Sequence, residues 1–188
     1  MMKHRLGLSV LAAGLAALSM EASAALVGAN TAAADEPLND RFTAQWDSEG
    51  RMRRSIVESA TAPGGAALEV SVRRRIDEPW RTRVTVPLIA DINAGDTVEL
   101  TVWVRAESVI RSMGTGSVDL QIVRTSEPYD NIFSENIRPT EEGQYYTVRG
   151  VAGADFAADD VVFGANLGHG RQTIQFGPIA ITRIDTDE

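Results

Sequence analysis

One histidine is the residue best placed to do chemistry in this chain. His169 lies between two glycines and ahead of the last apolar segment. An imidazole can serve as a general base or as a metal ligand, but glycine on both sides favours a turn. No G-x-S-x-G sequence supplies a serine nucleophile. We therefore predict that His169 is a loop residue and not a member of a catalytic triad.

Paired carboxylates are the second candidate chemistry. Glu99 and Asp119 fall on the outward faces of two different predicted strands, so they could meet in one cleft. A glycosidase needs two acids at a fixed separation, although ordinary surface acids are the more common explanation of such a pair. A small jelly-roll polysaccharide hydrolase or lyase is therefore kept as an alternative function.

The missing residue types exclude several other reactions and partners. The chain has no cysteine, and Lys3 is its only lysine. Thiolate zinc sites, cysteine nucleophiles, a phosphate-binding Walker loop and a Schiff base are therefore excluded from the mature protein. Oxygen ligands would favour calcium, but the acidic segment 153–160 is better explained as a solvated loop. The net charge of −8 argues against nucleic acid and anionic membranes as partners.

The N-terminus has the pattern of a cleaved secretory signal over residues 1–24. Lys3 and Arg5 precede an apolar stretch at 6–18, and an A-x-A cleavage site follows at 22–24. This stretch is too short to cross a bilayer as a helix. We predict export to the periplasm or the medium, without membrane insertion.

The rest of the chain is predicted to form one all-β domain. Residues 25–40 are Ala-rich and are predicted to be a flexible lead-in, and the domain is assigned to 41–188. Short β-type segments alternate there with turn signals such as "APGGA", "NAGD" and "NLGHG", as in a β-sandwich or barrel. In the terminal segment, Gly177 and Pro178 interrupt the apolar alternation, which indicates a bulge or an edge strand.

Strand alternation brings aromatic, arginine and amide side chains to the hydrated faces. In "TVELTVWVR" (97–105) the valines share one face, which leaves Trp103 on the other. The same reasoning turns Arg83 and Gln121 outward, with Trp80 near a rim. Flat rings stack on sugar C–H patches, and forked or amide donors pair with hydroxyls. The alternative, in which Trp103 packs beneath a loop, stays open.

The order of several motifs resembles a known family. "GGAALEV", "EPWRTRV", "INAGDTVELTVWVRAES", "VDLQIV", "PYDNI", "EEGQYYTVRG" and "QTIQFGPIAI" follow one another from residue 64 to residue 181. The series is similar to carbohydrate-binding modules of galactose-binding-domain-like jelly-roll fold, of the kind appended to xylanases and cellulases. The resemblance implies an all-β jelly-roll sandwich of two antiparallel sheets that binds glycans without catalysis.

The same resemblance implies site residues. Trp80 matches a tryptophan that often stacks on the sugar, Tyr129 matches an aromatic near the "PY" segment, and Tyr145 or Tyr146 stands where tryptophan is usual. The aspartate that helps hold a structural calcium in such modules is replaced by Gly177-Pro178. The last strand therefore does not support a structural calcium, no metal ligand is assigned, and no cofactor is expected.

Together these inferences predict a non-catalytic, secreted or periplasmic module that recognises a poly- or oligosaccharide on a sheet face. The candidate ligand-binding residues are Trp80, Arg83, Trp103, Gln121 and Tyr129. Besides the hydrolase or lyase, a structural or protein-interaction domain without a sugar ligand remains an alternative. The sequence does not specify the glycan or the oligomeric state.

Overall fold

The computed structural model of the protein describes residues 36–40 and 45–184, so the predicted signal peptide (1–24) lies outside the described residues. Eleven strands follow one another along this part of the chain. They are β1 (Glu36–Pro37), β2 (Asp47–Glu49), β3 (Arg53–Glu58), β4 (Ala66–Val72), β5 (Arg83–Pro87), β6 (Thr97–Val109), β7 (Val118–Arg124), β8 (Asn131–Ile137), β9 (Gln144–Val151), β10 (Val161–Asn166) and β11 (Gln172–Ile184).

The strands form two antiparallel sheets. The front sheet has the order β2-β5-β10-β7-β8, and the back sheet has the order β3-β4-β11-β6-β9, with β1 also paired to β11. Sequence-distant strands thus lie side by side in both sheets, as expected of a Greek-key or jelly-roll arrangement. The predicted all-β jelly-roll sandwich is confirmed. No helix in the described ranges is long and apolar enough to span a membrane.

The core lies between the inner faces of the two sheets. In β6, Val98, Leu100, Val102 and Val104 are all fully buried, which is the face that the period-2 pattern assigns to the interior. Phe163 of β10 fills the space opposite, from the front sheet. The alternation predicted for β6 is therefore the one that builds the core.

The final strand contains the predicted irregularity. The register between β11 and β6 shifts between Phe176 and Ile179, where Gly177 and Pro178 are inserted. Proline has no N–H to donate to a ladder, and a bulge removes the need for that bond. The bulge is confirmed, but β11 lies between β4 and β6 and is not an edge strand.

The end of the predicted lead-in is ordered, contrary to expectation. Residues 36–40 contribute β1, and Leu38 is fully buried in the core. The Oδ1 atom of Asn39 accepts a hydrogen bond of 2.7 Å from the N–H of Ile181. The folded domain therefore begins by Glu36 and not at residue 41, because this segment completes the back sheet beyond the bulge.

The segment predicted as a strand from Trp80 is divided in two. Pro79–Arg81 forms a 3-10 turn, and β5 begins only at Arg83. Proline at the first position of the turn fixes the backbone there and delays the strand. Trp80 consequently lies at a rim, beside the start of β5, as predicted.

Candidate functional site

The outer face of the front sheet carries an open cleft of about 660 Å³. This volume lies within the range of ligand-binding clefts, about 300–1,000 Å³. The strands β2, β5, β10, β7 and β8 supply its floor, and residues of the flanking turns supply its rims. The lining includes Glu49, Trp80, Arg83, Asp119, Gln121, Tyr129, Ser134 and Asn166.

Strand register places the polar floor residues in two rows. Arg83, Asn166 and Asp119 are mutual partners across β5, β10 and β7, and Gly164 pairs with Gln121 in the next row. Directly paired residues point to the same face of a sheet. The floor is therefore a grid of guanidinium, amide and carboxylate groups, held by rigid strands.

Glycine at position 164 makes room for one of these amides. A Cβ atom at Gly164 would lie 3.3 Å from Nε2 of Gln121. The Gln121 side chain therefore lies across β10 at a point where a larger neighbour would push it away. The centre of the floor is therefore formed by the Gln121 amide lying over the backbone of β10.

Two exposed aromatic rings stand at opposite ends of the floor. Trp80 is 52% exposed on the 3-10 turn before β5, and Tyr129 is 59% exposed after the end of β7. Because β5 and β7 are both antiparallel to β10, they run in the same direction. A ring before one strand and a ring after the other must then lie at opposite ends of the cleft.

The arginines of the cleft are held by acids. Nε and Nη2 of Arg83 each donate a hydrogen bond of 3.1 Å to the carboxylate of Glu49. Such a bidentate pair fixes the guanidinium plane. The other two cleft arginines are also paired, Arg81 with Glu78 and Arg124 with Asp160. The cleft therefore offers oriented donors whose charge is already balanced, which suits neutral hydroxyl groups.

Asp119 is joined to the histidine of the last turn. Nε2 of His169 lies 2.8 Å from Oδ2 of Asp119, and Nδ2 of Asn136 donates to Oδ1 at 2.7 Å. Burial by itself would raise the pKa of Asp119, but the hydrogen bonds from His169 and Asn136 outweigh it and hold the pKa below the ordinary value. His169 lies in a turn, as predicted.

Four of the five predicted site residues line this cleft, namely Trp80, Arg83, Gln121 and Tyr129. Trp103 does not, because its strand belongs to the back sheet. Its side chain is only 3% exposed and packs with Ala62 and Ala67. We therefore correct its assignment: Trp103 is a buried structural residue.

The covering of Trp103 has a clear steric cause. The connection between β3 and β4 brings Ala62 over the indole. Gly143 and Gly177 lie against the ring, where added Cβ atoms would come within 2.4 Å and 2.9 Å of it. Trp103, Ala62 and Ala67 thus form a small second core on the outer face of the back sheet. This is the alternative left open by the sequence, in which Trp103 packs beneath a loop.

The prediction that Glu99 and Asp119 could meet in one cleft is also wrong. Glu99 lies on β6 in the back sheet, where it pairs with Arg149, whereas Asp119 lies on the front sheet. The two acids are on opposite exteriors of the sandwich. They share no cleft and cannot act on one bond.

Asn166 is a cleft residue that the sequence reasoning missed. The segment "VVFGAN" alternates Val161, Phe163 and Ala165 inward with Gly164 and Asn166 outward, which is the signal that could have found it. Its Oδ1 atom is buried and has no hydrogen-bond partner in the described part of the chain.

Within the same ranges, no group of three or more His, Asp or Glu side chains could hold a metal ion.

Comparison with known proteins adds information about the fold. No protein-family model and no curated protein matches the sequence. Among solved structures, a CBM4 module matches with a TM-score of 0.58 and 19% identity, over 73% of this chain and 94% of the module. The CBM22-1 xylan-binding domain of Paenibacillus barcinonensis Xyn10C matches with a TM-score of 0.55 and 11% identity, over 81% of this chain and 94% of that domain.

A third match is the second N-terminal cellulose-binding domain of Cellulomonas fimi β-1,4-glucanase C. It has a TM-score of 0.58 and 13% identity, over 81% of this chain and 97% of that domain. Likeness at such low identity establishes a shared fold. The chain therefore has the jelly-roll sandwich fold of carbohydrate-binding modules, to which it is similar over nearly their whole length.

Proposed function

We propose that this protein is a non-catalytic, exported module that binds a poly- or oligosaccharide in the front-sheet cleft. The observation that carries the proposal is the pair of exposed rings, Trp80 and Tyr129, at the two ends of a rigid polar floor. Export rests on the signal pattern at residues 1–24.

The chemistry of the cleft suits a glycan chain. Aromatic rings offer apolar faces to the C–H patches of a sugar, and two separated rings engage two sugar units of one chain. Between them, Arg83 and Gln121 present N–H donors, and Asp119 presents a carboxylate acceptor to hydroxyls. Because strands carry these groups, little conformational entropy is lost on binding.

The positions of the acids favour binding over hydrolysis. Glu49 and Asp119 lie in one floor row, but β5 and β10 separate their strands. Three inter-strand spacings place their backbones roughly 14 Å apart, whereas glycosidase carboxyl groups lie about 5–9.5 Å apart. Both carboxylate oxygens of Glu49 are also held by Arg83, which points them along the floor.

The names of two similar structures indicate which ligands to test first. One is described as xylan-binding and another as cellulose-binding. We infer that a β-linked plant polysaccharide is the first ligand class to test, with xylan, soluble cellulose derivatives and mixed-linkage glucan as probes.

Affinity electrophoresis of the full mature chain tests the proposal. Trp80→Ala and Tyr129→Ala should each weaken retention by about tenfold, the effect of losing one stacking contact of roughly 1.4 kcal/mol. Tyr145→Ala is the matched control, since this ring is also 52% exposed but lies on the back sheet opposite Trp103. Absence of retention on every glycan tested, or equal loss in the control, would overturn the proposal.

A reducing-end assay on the same glycans tests the catalytic alternative. The proposal expects no release of reducing ends over long incubation. Release that disappears in Asp119→Asn would make the protein a hydrolase that uses the front-sheet cleft.

A further inference from the structure

A second depression lies at one end of the back sheet, where β3 begins and β4 ends. It has a volume of about 530 Å³ and is lined by four arginines, Arg51, Arg53, Arg73 and Arg74. Ser71 and the half-buried side chains of Met52 and Ile76 complete its wall. We call this depression the arginine groove.

Within the described ranges, these four guanidinium groups form no ion pair with an acid. Six of the fifteen arginines in the part of the chain that the structure describes form ion pairs, and four of the nine others line this groove. The chain contains 26 acidic residues against 18 basic ones, so acids are not scarce. Four unpaired cations around one groove repel one another, and an anion placed among them would remove that repulsion.

The positive lining continues beyond the groove. A neighbouring depression of about 440 Å³ shares Arg73 and Ser71 with it and adds Arg171 at the start of β11. Strand register places Arg53, Ser71 and Thr173 in one row across β3, β4 and β11. The cationic surface is therefore elongated across the end of the sheet, which suits a chain bearing several negative groups better than a single ion.

We propose that the arginine groove binds an acidic polysaccharide through its carboxylate or sulfate groups. Guanidinium forks pair with both oxygens of such groups, and the mature protein has no lysine to offer a point charge instead. Met52 and Ile76 give the groove an apolar wall for sugar C–H groups. The overall charge of −8 repels a dense polyanion such as DNA, with one charge per about 1.7 Å.

The groove is a site separate from the front-sheet cleft, and the proposal does not depend on the function of that cleft. Glu49 lines the cleft and Arg51 lines the groove, on either side of Gly50. A Cβ atom at Gly50 would lie 1.9 Å from the carbonyl oxygen of Arg81. This close packing holds the segment that divides the two depressions.

Binding of polygalacturonate by the full mature chain tests the proposal at 50 and 200 mM salt. The double variant Arg53→Gln/Arg74→Gln should weaken binding at least tenfold and reduce its dependence on salt. Arg138→Gln/Arg149→Gln removes the same charge away from the groove and should bind like the unchanged protein. Equal weakening by both variants, or no binding at low salt, would overturn the proposal.

Two further measurements separate this site from the cleft and from nucleic acid. Retention on xylan and soluble cellulose should not change in Arg53→Gln/Arg74→Gln, while Trp80→Ala should keep its binding to polygalacturonate. Loss of acidic-glycan binding in Trp80→Ala would place that ligand in the cleft and overturn the separate site. Binding of single-stranded DNA as tight as that of polygalacturonate would overturn the assignment to a polysaccharide.

Discussion

Nε2 of His169 lies 2.8 Å from Oδ2 of Asp119 and ties the turn between β10 and β11 to the outer face of the front sheet. A second hydrogen bond, from Asn136, holds the other carboxylate oxygen of Asp119 at 2.7 Å. The histidine therefore acts as a partner that orients a cleft carboxylate. This relationship makes the edge of the cleft sensitive to the charge of Asp119.

The first prediction concerns the acid stability that Asp119 provides. Its pKa is lowered in the folded protein from the ordinary value of 3.8, so its contribution is present above that value and is lost as the pH falls through the folded pKa. Asp119→Asn should be less stable than the unchanged protein by about 1 kcal/mol at pH 7. The difference should shrink towards pH 3, as measured by urea unfolding. Asp159→Asn, an exposed acid, serves as the control, and a difference independent of pH would contradict the mechanism.

Trp103→Ala should destabilise the protein without affecting glycan binding. The side chain is 3% exposed and packs with Ala62 and Ala67, so its removal should cost about 3 kcal/mol of unfolding free energy. Thermal unfolding measures this change. Trp80→Ala, which removes an indole that is 52% exposed, should shift the melting temperature little. Weaker retention on glycans with unchanged melting would restore Trp103 to the binding site.

Substitutions of Tyr129 should distinguish the effect of backbone strain on stability from the effect of the ring on ligand binding. Its φ of 58° is in the left-handed region, which costs a non-glycine residue about 1 kcal/mol. Tyr129→Gly should therefore unfold at no lower denaturant concentration than the unchanged protein, while retention on a bound glycan falls about tenfold. Tyr129→Phe keeps the ring and should keep most of the retention. A glycine variant that binds fully would remove Tyr129 from the site.

Asn39→Ala should show that the segment before residue 41 belongs to the domain. The substitution leaves the buried N–H of Ile181 without its acceptor, which should cost about 2 kcal/mol of unfolding free energy. Glu36→Ala, which removes only an exposed ion pair with Arg183, should cost less than about 1 kcal/mol. Equal and small effects in chemical denaturation would show that residues 36–40 add nothing to stability.

Local patterns in the sequence identified much of the fold correctly. Alternation in 97–105 assigned the buried face of β6, and Gly177-Pro178 indicated the bulge in β11. Such features depend on the geometry of a few consecutive residues, which are adjacent in any conformation. The short polar lead-in at 36–40 carried no comparable pattern, because its order comes from pairing with a strand at the other end of the chain.

The candidate site required information that local patterns do not contain. The period of a strand tells which residues share a face, and it correctly turned Arg83, Gln121 and Trp103 away from the core. It does not tell which sheet a strand joins. Only the long-range pairing of β5 and β7 with β10 gathered Arg83 and Gln121 in one cleft, while the pairing of β6 with β11 carried Trp103 to the other sheet.

The sequence by itself determined an all-β chain, the alternation of its strands, and the lack of any cysteine and of any lysine after Lys3. Tertiary structure alone decided which outward residues meet, that a loop buries Trp103, and that arginines from separate segments line one groove. The physical reason is that a strand's faces follow from its own backbone. Its neighbours follow from the free energy of packing two whole sheets together.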